Sequence, residues 1–600
     1  MYRAPVSEIA FTLKHAAGMA AALENNALGD LSEDLVDAIL EEAGKFAAEE
    51  IAPLNAVADR HGTPFKDGAV TMPPGWKEVY HRWCEAGWNG LTGPEAYGGQ
   101  NLPTMLSMAT QEMWNSASMA YGVGPTLTIG AIEALNAHAS DQLKETYLPK
   151  MISGEWTGTM NLTEPHAGSD LGALKTRAEP IGDGRYRIFG QKIFITYGEH
   201  DMTDNIVHLV LARLADAPAG TKGISLFVVP KFLVNEDGSP GARNDVVCSG
   251  VEHKMGIHGS PTCTMIYGDG TAGDEPGAIG WLVGEENRGL ACMFTMMNNA
   301  RLAVGIQGVG IAERALQQAT AYAGERRQGR APGWTGEDMS PIIEHPDIRQ
   351  MLLSMRGLTA ASRAICYACA HAIDMAEAAD GESDGETARH WQERANLLTP
   401  IAKAFSTDAG TDVASMGVQI HGGMGYIEET GAAQHLRDAR IAQIYEGTNG
   451  IQAIDLVVRK LPQSGGRHVH DYIAELKVIA EEARQSNRID FGRMGERLGA
   501  ALEDLEATTE HLQMLLSEGR TEQALAGATG YLRLFGLAAG GCYLARAALA
   551  SSGDSPAAST RVLTARAFAE RACPETAGLR VAVTDGADAV LNGNTDLLAN

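Results

Sequence analysis

The chain has 600 residues, 44% of them hydrophobic and 20% charged, which is typical of a globular protein with several domains. Its formal net charge of −27 disfavours a surface for nucleic acids or anionic membranes, so we expect neither partner. The N-terminus lacks a signal-like pattern and no run reaches 18 apolar residues, so we expect a cytoplasmic chain without a transmembrane helix.

Residues 1–157 predict a helical N-terminal domain, because apolar residues recur at spacings of three and four in LSEDLVDAILEEAGKFAAEEIAPLN. From about residue 158 the pattern changes to short β-branched and aromatic runs, such as NIVHLVLARL and GISLFVVPKFL. Turn-forming clusters separate these runs. We therefore expect a middle, barrel-like β domain over residues 158–280.

Helical periodicity returns over residues 281–461, in segments long enough for a C-terminal helix bundle. PQSGGRHVH, at 462–470, is interpreted as a linker, and residues 467–600 predict an extra C-terminal helical domain. The order helical, β, helical, helical indicates an α+β multidomain fold, because a doubly wound sheet needs regularly alternating strands and helices. GIQGVG, at 305–310, has the wrong spacing for a dinucleotide-binding loop.

The eight cysteines are scattered, which suits reduced thiols in a cytosolic protein. Cys366 and Cys369 have the spacing of a redox or metal-binding pair. They lie in TAASRAICYACAHAI, which has a helical pattern, and no second such pair or paired histidine segment accompanies them. We predict that they are core cysteines, and we expect no metal site.

One carboxylate interrupts an otherwise apolar stretch near residue 446. RIAQIYEGTNGIQAIDLVVRKL, at 440–461, has helical periodicity that predicts a mostly buried segment, with Glu446 in its middle. Gly447 and Gly450 predict a break or kink in the helix. Burying a carboxylate is costly unless the group is paired or protonated, so Glu446 requires an explanation. The apolar positions on which this prediction rests are Ile441, Ile444, Ile451, Ile454, Leu456 and Val457.

Six stretches, in order and at these separations, resemble the flavoprotein acyl-CoA dehydrogenases over residues 35–460. The resemblance implies FAD as cofactor and oxidation of an acyl-CoA substrate between its α and β carbons. The stretches are MNLTEPHAGSDLGALKTRA (160–178), GQKIFIT (190–196), KMGIHGSPT (254–262), ERRQGR (325–330), VQIHGGMGYIEE (418–429) and IYEGTNGIQ (444–452).

The resemblance implies that Glu446 is the catalytic base, with its own backbone N–H helping to polarise the thioester carbonyl. Some relatives carry the base immediately before the arginine of a bundle helix, but that residue here is Ala300. The alternative for Glu446 is a buried carboxylate satisfied by a helix cap or an ion pair. Arg301, Ser169 and Tyr445 are implied to contact the substrate, and Arg301 has the alternative of a helix-surface arginine paired with a carboxylate.

The same resemblance implies a set of FAD contacts, some of them reaching the cofactor of a neighbouring subunit. Three positions depart from the family pattern: Phe194 stands where relatives often have Trp, no Phe follows Gln328, and His258 stands where many relatives have Arg. The implied cofactor-binding residues are Met160, Leu162, Thr163, Ser169, Phe194, Thr196, Arg326, Gln328, Gln419, Gly422, Gly423 and Thr448.

The chain length and the C-terminal extension resemble a subgroup of the family, which implies 3-methylthiopropanoyl-CoA as substrate. A general short- or medium-chain acyl-CoA dehydrogenase is the alternative. A DNA-associated flavoprotein with the same core is a third, but it needs a basic surface. Residues 467–600 carry 13 Lys and Arg against 18 Asp and Glu. The family also implies electron-transfer flavoprotein as acceptor and a homodimer or homotetramer.

Overall fold

The structure is a computed structural model that describes residues 2–273, 275–380 and 385–593. Residues 1, 274, 381–384 and 594–600 of the predicted domains lie outside the described residues. The chain forms two compact units. Unit 1 comprises Met1–Lys45, Thr104–Ser116 and Arg301–Asn600, and unit 2 comprises Phe46–Pro103 and Ala117–Ala300. The predicted domain boundaries stay predictions.

The α+β multidomain class is confirmed, since helices precede and follow a β region. The α-helices are α1 Val6–Phe11, α2 Met19–Glu24, α3 Glu33–Phe46, α4 Asn55–His61, α5 Trp76–Glu85, α6 Thr104–Ala117, α7 Met119–His138, α8 Asp141–Ser153, α9 Gly289–Glu325, α10 Pro346–Ala378, α11 Glu386–His421, α12 Ala432–Ala439, α13 Asn449–Asp455, α14 Arg467–Gln485, α15 Met494–Ser517, α16 Thr521–Ala526, α17 Ala528–Ala550, α18 Pro556–Arg571, α19 Glu575–Asp585 and α20 Ala587–Leu591. The strands are β1 Phe65–Lys66, β2 Ala69–Val70, β3 Trp156–Asn161, β4 Arg177–Gly182, β5 Arg185–Thr196, β6 Asn205–Ala212, β7 Ser225–Pro230, β8 Phe232–Val234, β9 Pro240–Arg243, β10 Val246–Val251, β11 Thr262–Tyr267 and β12 Ala278–Val283.

Unit 2 is built on an eight-stranded sheet whose path runs β10–β11–β5–β12–β7–β6–β3, with β4 paired to β5. The sheet is an open half-barrel, and β3 and β6 are its parallel pair. Every residue of β3, β6 and β7 is buried, so these strands are covered on both faces. The β1–β2 hairpin lies inside the region predicted to be helical, so that prediction missed two short strands.

Helices α7 and α8 cover the β3 side of unit 2. They share an apolar cluster with β6 and β7 in which Trp156, Leu209 and Leu226 are buried beside Tyr147 and Leu135. At ~25 cal/mol per Å² of apolar surface, each such large side chain contributes about 1.5–3 kcal/mol on burial. This layer packs directly on β3, and several of the predicted site residues lie in β3 or just after it.

The long helices of unit 1 approach each other closely through glycine. A Cβ at Gly308 of α9 would lie 2.4 Å from the Ser406 carbonyl oxygen of α11, and one at Gly305 would lie 2.6 Å from the Ala402 oxygen. Only glycine allows backbones this near. The glycine-rich stretch 305–310 is therefore a helix-packing element, and it brings α9 against the segment of α11 around residue 403.

The C-terminal helices α14–α19 pack on one another and on α10 and α11 within unit 1. The linker predicted at 462–470 is wrong after residue 466, because α14 begins at Arg467. The preceding residues form a short 3-10 turn, Gln463–Gly466. Helix α17 is long and apolar enough to cross a membrane, but 83% of its most apolar window is buried inside the fold. It is the core helix of this module.

Candidate active site

Glu446 lies in a left-handed turn between two helical segments of unit 1. A 3-10 helix, Arg440–Gln443, ends just before it, and α13 begins at Asn449. Glu446 has φ +55° and Gly447 has φ +84°. The predicted break is confirmed. A non-glycine residue at positive φ costs about 1–3 kcal/mol and persists only when its surroundings enforce it.

The Glu446 side chain is half-buried in surroundings that disfavour its charge. Desolvation raises its pKa to about 7, and two cations, Arg301 on α9 and Lys403 on α11, act in the opposite direction. A carboxyl group that titrates near neutral pH can accept a proton in its ionised form and release it again. An ion pair, the alternative for Glu446, would lower the pKa of this carboxyl group. Its pKa is raised, so desolvation outweighs the attraction of the two cations.

The turn is held from both sides. Gln452 donates to the carbonyl oxygens of Glu446 and Gly447, each at 3.3 Å, and is itself fully buried. Gln443 and Asn449 both donate to the same Asp408 oxygen on α11, each at 2.7 Å. These contacts fix the backbone on either side of the carboxylate, which is the requirement for a positioned catalytic group.

Three predicted site residues, Tyr445, Arg301 and Thr448, have defined partners in the structure. Tyr445 donates its hydroxyl to Gln307 Oε1 on α9, and burial raises the pKa of Tyr445. Arg301 is buried rather than on the helix surface, and it lies 3.7 Å from Asp455. Thr448 accepts a hydrogen bond from the Ile451 N–H at 3.3 Å and so caps α13. The hydroxyl oxygen of Thr448 is therefore engaged by the helix that it begins.

The predicted burial of the 440–461 stretch is wrong at two positions. Ile444 is 48% exposed and Ile454 is 39% exposed, whereas Leu456 and Val457 are fully buried. The prediction counts one helical periodicity across the expected break, as if both sides of it shared one helix phase. The left-handed turn at Glu446 resets the phase, so apolar residues on either side of it do not share one face.

Five predicted cofactor residues lie at the ends of β3 and β5 in unit 2. Met160 is buried in β3, while Leu162 and Thr163 follow that strand and are half-buried. Phe194 has φ +59° and is 58% exposed, although it belongs to β5. Thr196 ends β5, and its carbonyl oxygen accepts a hydrogen bond from the Thr159 hydroxyl at 2.7 Å. An exposed aromatic residue at a strained position can stack on a planar ligand.

A buried ion pair, which sequence reasoning missed, anchors the loop after β3. Lys192 Nζ on β5 donates to Glu164 Oε1 at 2.8 Å and to the Leu162 carbonyl oxygen at 3.0 Å. Glu164 also accepts the N–H groups of Lys175 and Thr176. Desolvation lowers the pKa of Lys192 to about 8 despite this partner. A lone lysine within the apolar run KIFIT was the available signal.

The same loop carries Ser169, which is exposed and lies four residues after the Pro165 turn. The neighbouring Gly168 borders open space, because a Cβ at this position would meet no atom of the described residues within 4 Å, its chain neighbours aside. Glu164 therefore joins the two ends of this loop through the N–H groups of Lys175 and Thr176, and the middle of the loop faces outward.

The remaining predicted cofactor residues are exposed in unit 1. Arg326 and Gln328 follow the end of α9, where the Gln328 N–H donates to the Ser340 carbonyl oxygen at 3.1 Å. Gln419 lies in the last turn of α11. Within the described part of the chain, a Cβ at Gly422 or Gly423 would meet no atom within 4 Å apart from its chain neighbours. This open backbone and the exposed guanidinium fit a phosphate-bearing group such as FAD.

Two other sequence features are structural. The thiols of Cys366 and Cys369 are fully buried in α10 and lie 3.8 Å from the Ala402 and Ala395 carbonyl oxygens of α11, which confirms core cysteines. His258 Nδ1 lies 3.0 Å from Asp59, which makes this histidine part of a local contact within unit 2. Among the residues that the structure describes, no group of three His, Cys, Asp or Glu side chains could hold a metal ion.

Four family models match consecutive parts of the chain. They are the acyl-CoA dehydrogenase N-terminal domain at residues 34–155, its middle domain at 159–269, its C-terminal domain at 287–461, and an acetyl-CoA dehydrogenase C-terminal-like domain at 469–593. The first three together span the turn at Glu446, the β3–β5 region and the exposed loop after α11.

Similar proteins match along most of the chain. The 3-methylmercaptopropionyl-CoA dehydrogenase of Ruegeria pomeroyi is 44% identical over 600 residues, covering 99% of this chain and 100% of that protein. A butyryl-CoA dehydrogenase of Syntrophomonas wolfei is 38% identical over 78% of this chain and 77% of its own. The structure of a Bacillus anthracis acyl-CoA dehydrogenase complexed with FAD covers 95% of this chain and 90% of its own. Its TM-score is 0.72 at 22% identity, so it shares the fold.

Proposed function

Because the chain belongs to the acyl-CoA dehydrogenase family, we propose that it oxidises a short acyl-CoA thioester between its α and β carbons, with FAD as cofactor. The observation that carries the proposal is the Glu446 carboxyl group, half-buried in a left-handed turn where desolvation raises its pKa to about 7. A strained, desolvated carboxylate is expensive to maintain, and proton abstraction from a weak carbon acid is the chemistry that uses it.

The reaction removes one proton and one hydride from the substrate. Glu446 takes the proton from the α carbon, the hydride leaves the β carbon, and the 2,3-unsaturated thioester results. FAD, when bound, supplies the acceptor for that hydride. The Glu446 N–H, exposed by the turn at Gly447, polarises the thioester carbonyl and so acidifies the α proton.

The cofactor-binding residues of this proposal fall into two groups. Met160, Leu162, Thr163, Phe194 and Thr196 line the flavin ring in unit 2. The other cofactor residues of the proposal serve the remaining parts of FAD: Ser169, Arg326, Gln328, Gln419, Gly422, Gly423 and Thr448. An exposed Phe194 ring suits stacking, and an arginine fork suits phosphate oxygens.

The substrate that we propose is 3-methylthiopropanoyl-CoA, with Ser169, Arg301 and Tyr445 as its contacts. The full-length similarity to 3-methylmercaptopropionyl-CoA dehydrogenase supports this choice. The similarity to butyryl-CoA dehydrogenase favours, as second candidate, an enzyme for ordinary short acyl chains. A thioether sulfur replaces a methylene with little change in polarity, so the two substrate classes place similar demands on a pocket.

The test is anaerobic reduction of the purified yellow protein by 3-methylthiopropanoyl-CoA and butanoyl-CoA. We expect bleaching of the flavin band by both, with higher kcat/KM for the sulfur compound. Glu446→Gln should bind flavin normally and lose at least about 10²–10⁴-fold in the reduction rate. The exposed Glu429→Gln is the matched control and should behave as wild type. Near-normal reduction by Glu446→Gln would remove Glu446 as the base.

We further propose a homodimer or homotetramer that passes its electrons to electron-transfer flavoprotein in the cytoplasm. Met424, Tyr426 and Ile427 follow α11 as exposed apolar side chains, and Tyr426 is 87% exposed. An apolar patch beside the cofactor-binding glycines suits contact with a second subunit. The eight free cysteines suit a reducing compartment.

A further inference from the structure

Lys403 is a fully buried cation that the proposed reaction leaves unexplained. It lies in α11, and its Nζ donates to the side-chain oxygen of Asn449 at 2.8 Å. Burying an ammonium group costs several kcal/mol even after relaxation, and a neutral amide partner offsets only part of this. Nonpolar residues flank it in the sequence LLTPIAKAF, so an apolar side chain would suit the packing.

Asn449 connects Lys403 to the left-handed turn. It is the first residue of α13, three positions after Glu446. Besides accepting from Lys403, its amide donates to the Thr407 hydroxyl at 3.0 Å and to Asp408 at 2.7 Å. Lys403 thus binds the oxygen of the Asn449 amide, while the nitrogen of that amide binds Thr407 and Asp408, which also lie on α11. Its removal would leave the amide oxygen with only the longer contact from the Thr407 hydroxyl, at 3.3 Å.

Two positive charges face Glu446 from the elements packed against it. Arg301 does so from α9 and Lys403 from α11, while the neutral Tyr445 hydroxyl is the neighbour on its own segment. Arg301 lies 3.7 Å from the Asp455 carboxylate, which neutralises part of its field. Lys403 bonds to a neutral amide, with Asp408 as a further carboxylate that attracts it.

We propose that Lys403 is a positioning residue for the base: it holds the Glu446–Gly447 turn through Asn449, and its charge keeps the Glu446 carboxylate ionised. This inference rests on the proposed role of Glu446 and deepens it. Lys403 does not touch the substrate in this scheme. It acts through the conformation and the ionisation of the residue that does.

The two groups titrate in the same range. Desolvation raises the pKa of Glu446 to about 7 and lowers the pKa of Lys403 to about 7, while each charge favours ionisation of the other. Removing the ammonium therefore moves the Glu446 pKa upward. At a pH below that pKa, raising the pKa by one reduces the ionised fraction of the carboxyl group about tenfold. Above about pH 8 the wild-type lysine has itself lost its proton, so the effect of its charge vanishes there and only the loss of the Asn449 contact remains.

The test compares Lys403→Met with Lys460→Met as matched control. Lys460 is also a half-buried lysine whose pKa is lowered by desolvation. It lies 3.9 Å from Asp455, and the charges that shift the pKa of Glu446 are those of Arg301 and Lys403. The rate of flavin reduction by butanoyl-CoA is measured from about pH 6 to about pH 9. We expect Lys403→Met to be about tenfold slower than wild type near pH 6, with the ratio shrinking steadily as pH rises. Lys460→Met should keep the wild-type midpoint.

A second variant separates the two parts of the proposal. Lys403→Gln removes the charge but keeps a donor for Asn449, so it should show the same change of the midpoint with a smaller loss at high pH. It also stands in for Lys403→Met if that variant does not fold. A loss that is equal at every pH, in both variants, would overturn the charge role, and an unchanged profile would overturn the whole inference.

A readout without turnover distinguishes this inference from the proposed function. The infrared band of a protonated carboxyl group that disappears in Glu446→Gln reports the base directly. Its pH midpoint should rise in Lys403→Met and stay unchanged in Lys460→Met. If no acyl-CoA reduces the wild-type flavin, the proposed function fails while the infrared midpoint still decides on Lys403. If the wild type is active and the infrared midpoint does not move in Lys403→Met, the proposed role of Lys403 is rejected and the proposed function stands.

Discussion

The buried ion pair of Lys192 and Glu164 is expected to control the loop that carries the proposed flavin contacts. Lys192 is fully buried in β5, and Glu164 lies four residues after Met160 of β3. Lys192→Met keeps most of the side-chain volume and removes the charge. It leaves the Glu164 carboxylate buried with two backbone N–H donors, those of Lys175 and Thr176.

Removing one partner of a buried pair costs about 3–5 kcal/mol, because the other charge is left uncompensated. The two remaining N–H donors put Lys192→Met near about 3 kcal/mol on this scale. Glu164→Gln should cost a similar amount, since the Lys192 ammonium then stays buried with only neutral oxygen acceptors, such as the Leu162 carbonyl oxygen. The double variant leaves no buried charge, so it should cost about 1 kcal/mol and show a coupling energy of several kcal/mol.

The assay is urea unfolding followed by tryptophan fluorescence, together with flavin retention on gel filtration. The pKa of Glu164 is lowered below its ordinary value of 4.5, so the contribution of the pair is present above that value and is lost as pH falls through the lowered pKa. Acidification should therefore reduce the difference between wild type and Glu164→Gln. If the two single costs add in the double variant, the pair is not coupled and the reasoning is wrong.

Three further outcomes are expected. The rate of flavin reduction should rise about tenfold per pH unit below a midpoint near pH 7 and level off above it, because the ionised Glu446 is the active form; a flat profile would contradict this. Across saturated acyl-CoA substrates, kcat/KM should peak near about four to six chain atoms, with palmitoyl-CoA far behind; a peak at long chains would reject the sulfur substrate and leave the dehydrogenase proposal intact. Tyr426→Asp should lower the oligomeric state in light scattering, because it places a charge in the exposed apolar patch; an unchanged mass would exclude that patch from the subunit interface.

The order of the structural regions could be predicted because it depends on local periodicity. The β region, the long bundle helices and the C-terminal helices each have patterns that extend over many residues. The β1–β2 hairpin was missed because its strands have two residues each, although Asp67-Gly68 between them is a hairpin signal. The division of residues 1–157 between two compact units could not be foreseen, since sequence periodicity contains no information about which helices pack together.

At the site, the sequence indicated the break near Glu446 but not its conformation. Gly447 and Gly450 marked a turn, whereas the left-handed backbone of Glu446 itself follows from contacts made by distant residues. Lys403 and Asn449 are 46 residues apart, and Lys192 and Glu164 are 28 apart. A lone lysine in an apolar run is a signal that can be read locally, but its partner cannot be identified without the fold.

Many contacts are needed to hold the Glu446 side chain in its strained and desolvated position. Positive φ at a non-glycine residue and desolvation of its carboxylate each cost free energy, and a chain selected only for stability would place glycine there and an apolar residue at 403. The strain persists because Gln452 holds two carbonyl oxygens of the turn while Asn449 fixes the start of α13. Since the same α11 segment supplies the amide's anchors and the buried ammonium, backbone geometry and carboxylate charge depend on one helix. Helix α9 approaches α11 closely at Gly308, and α9 also carries Arg301 and Gln307. The charge and the conformation of Glu446 therefore depend on the packing of the same two helices.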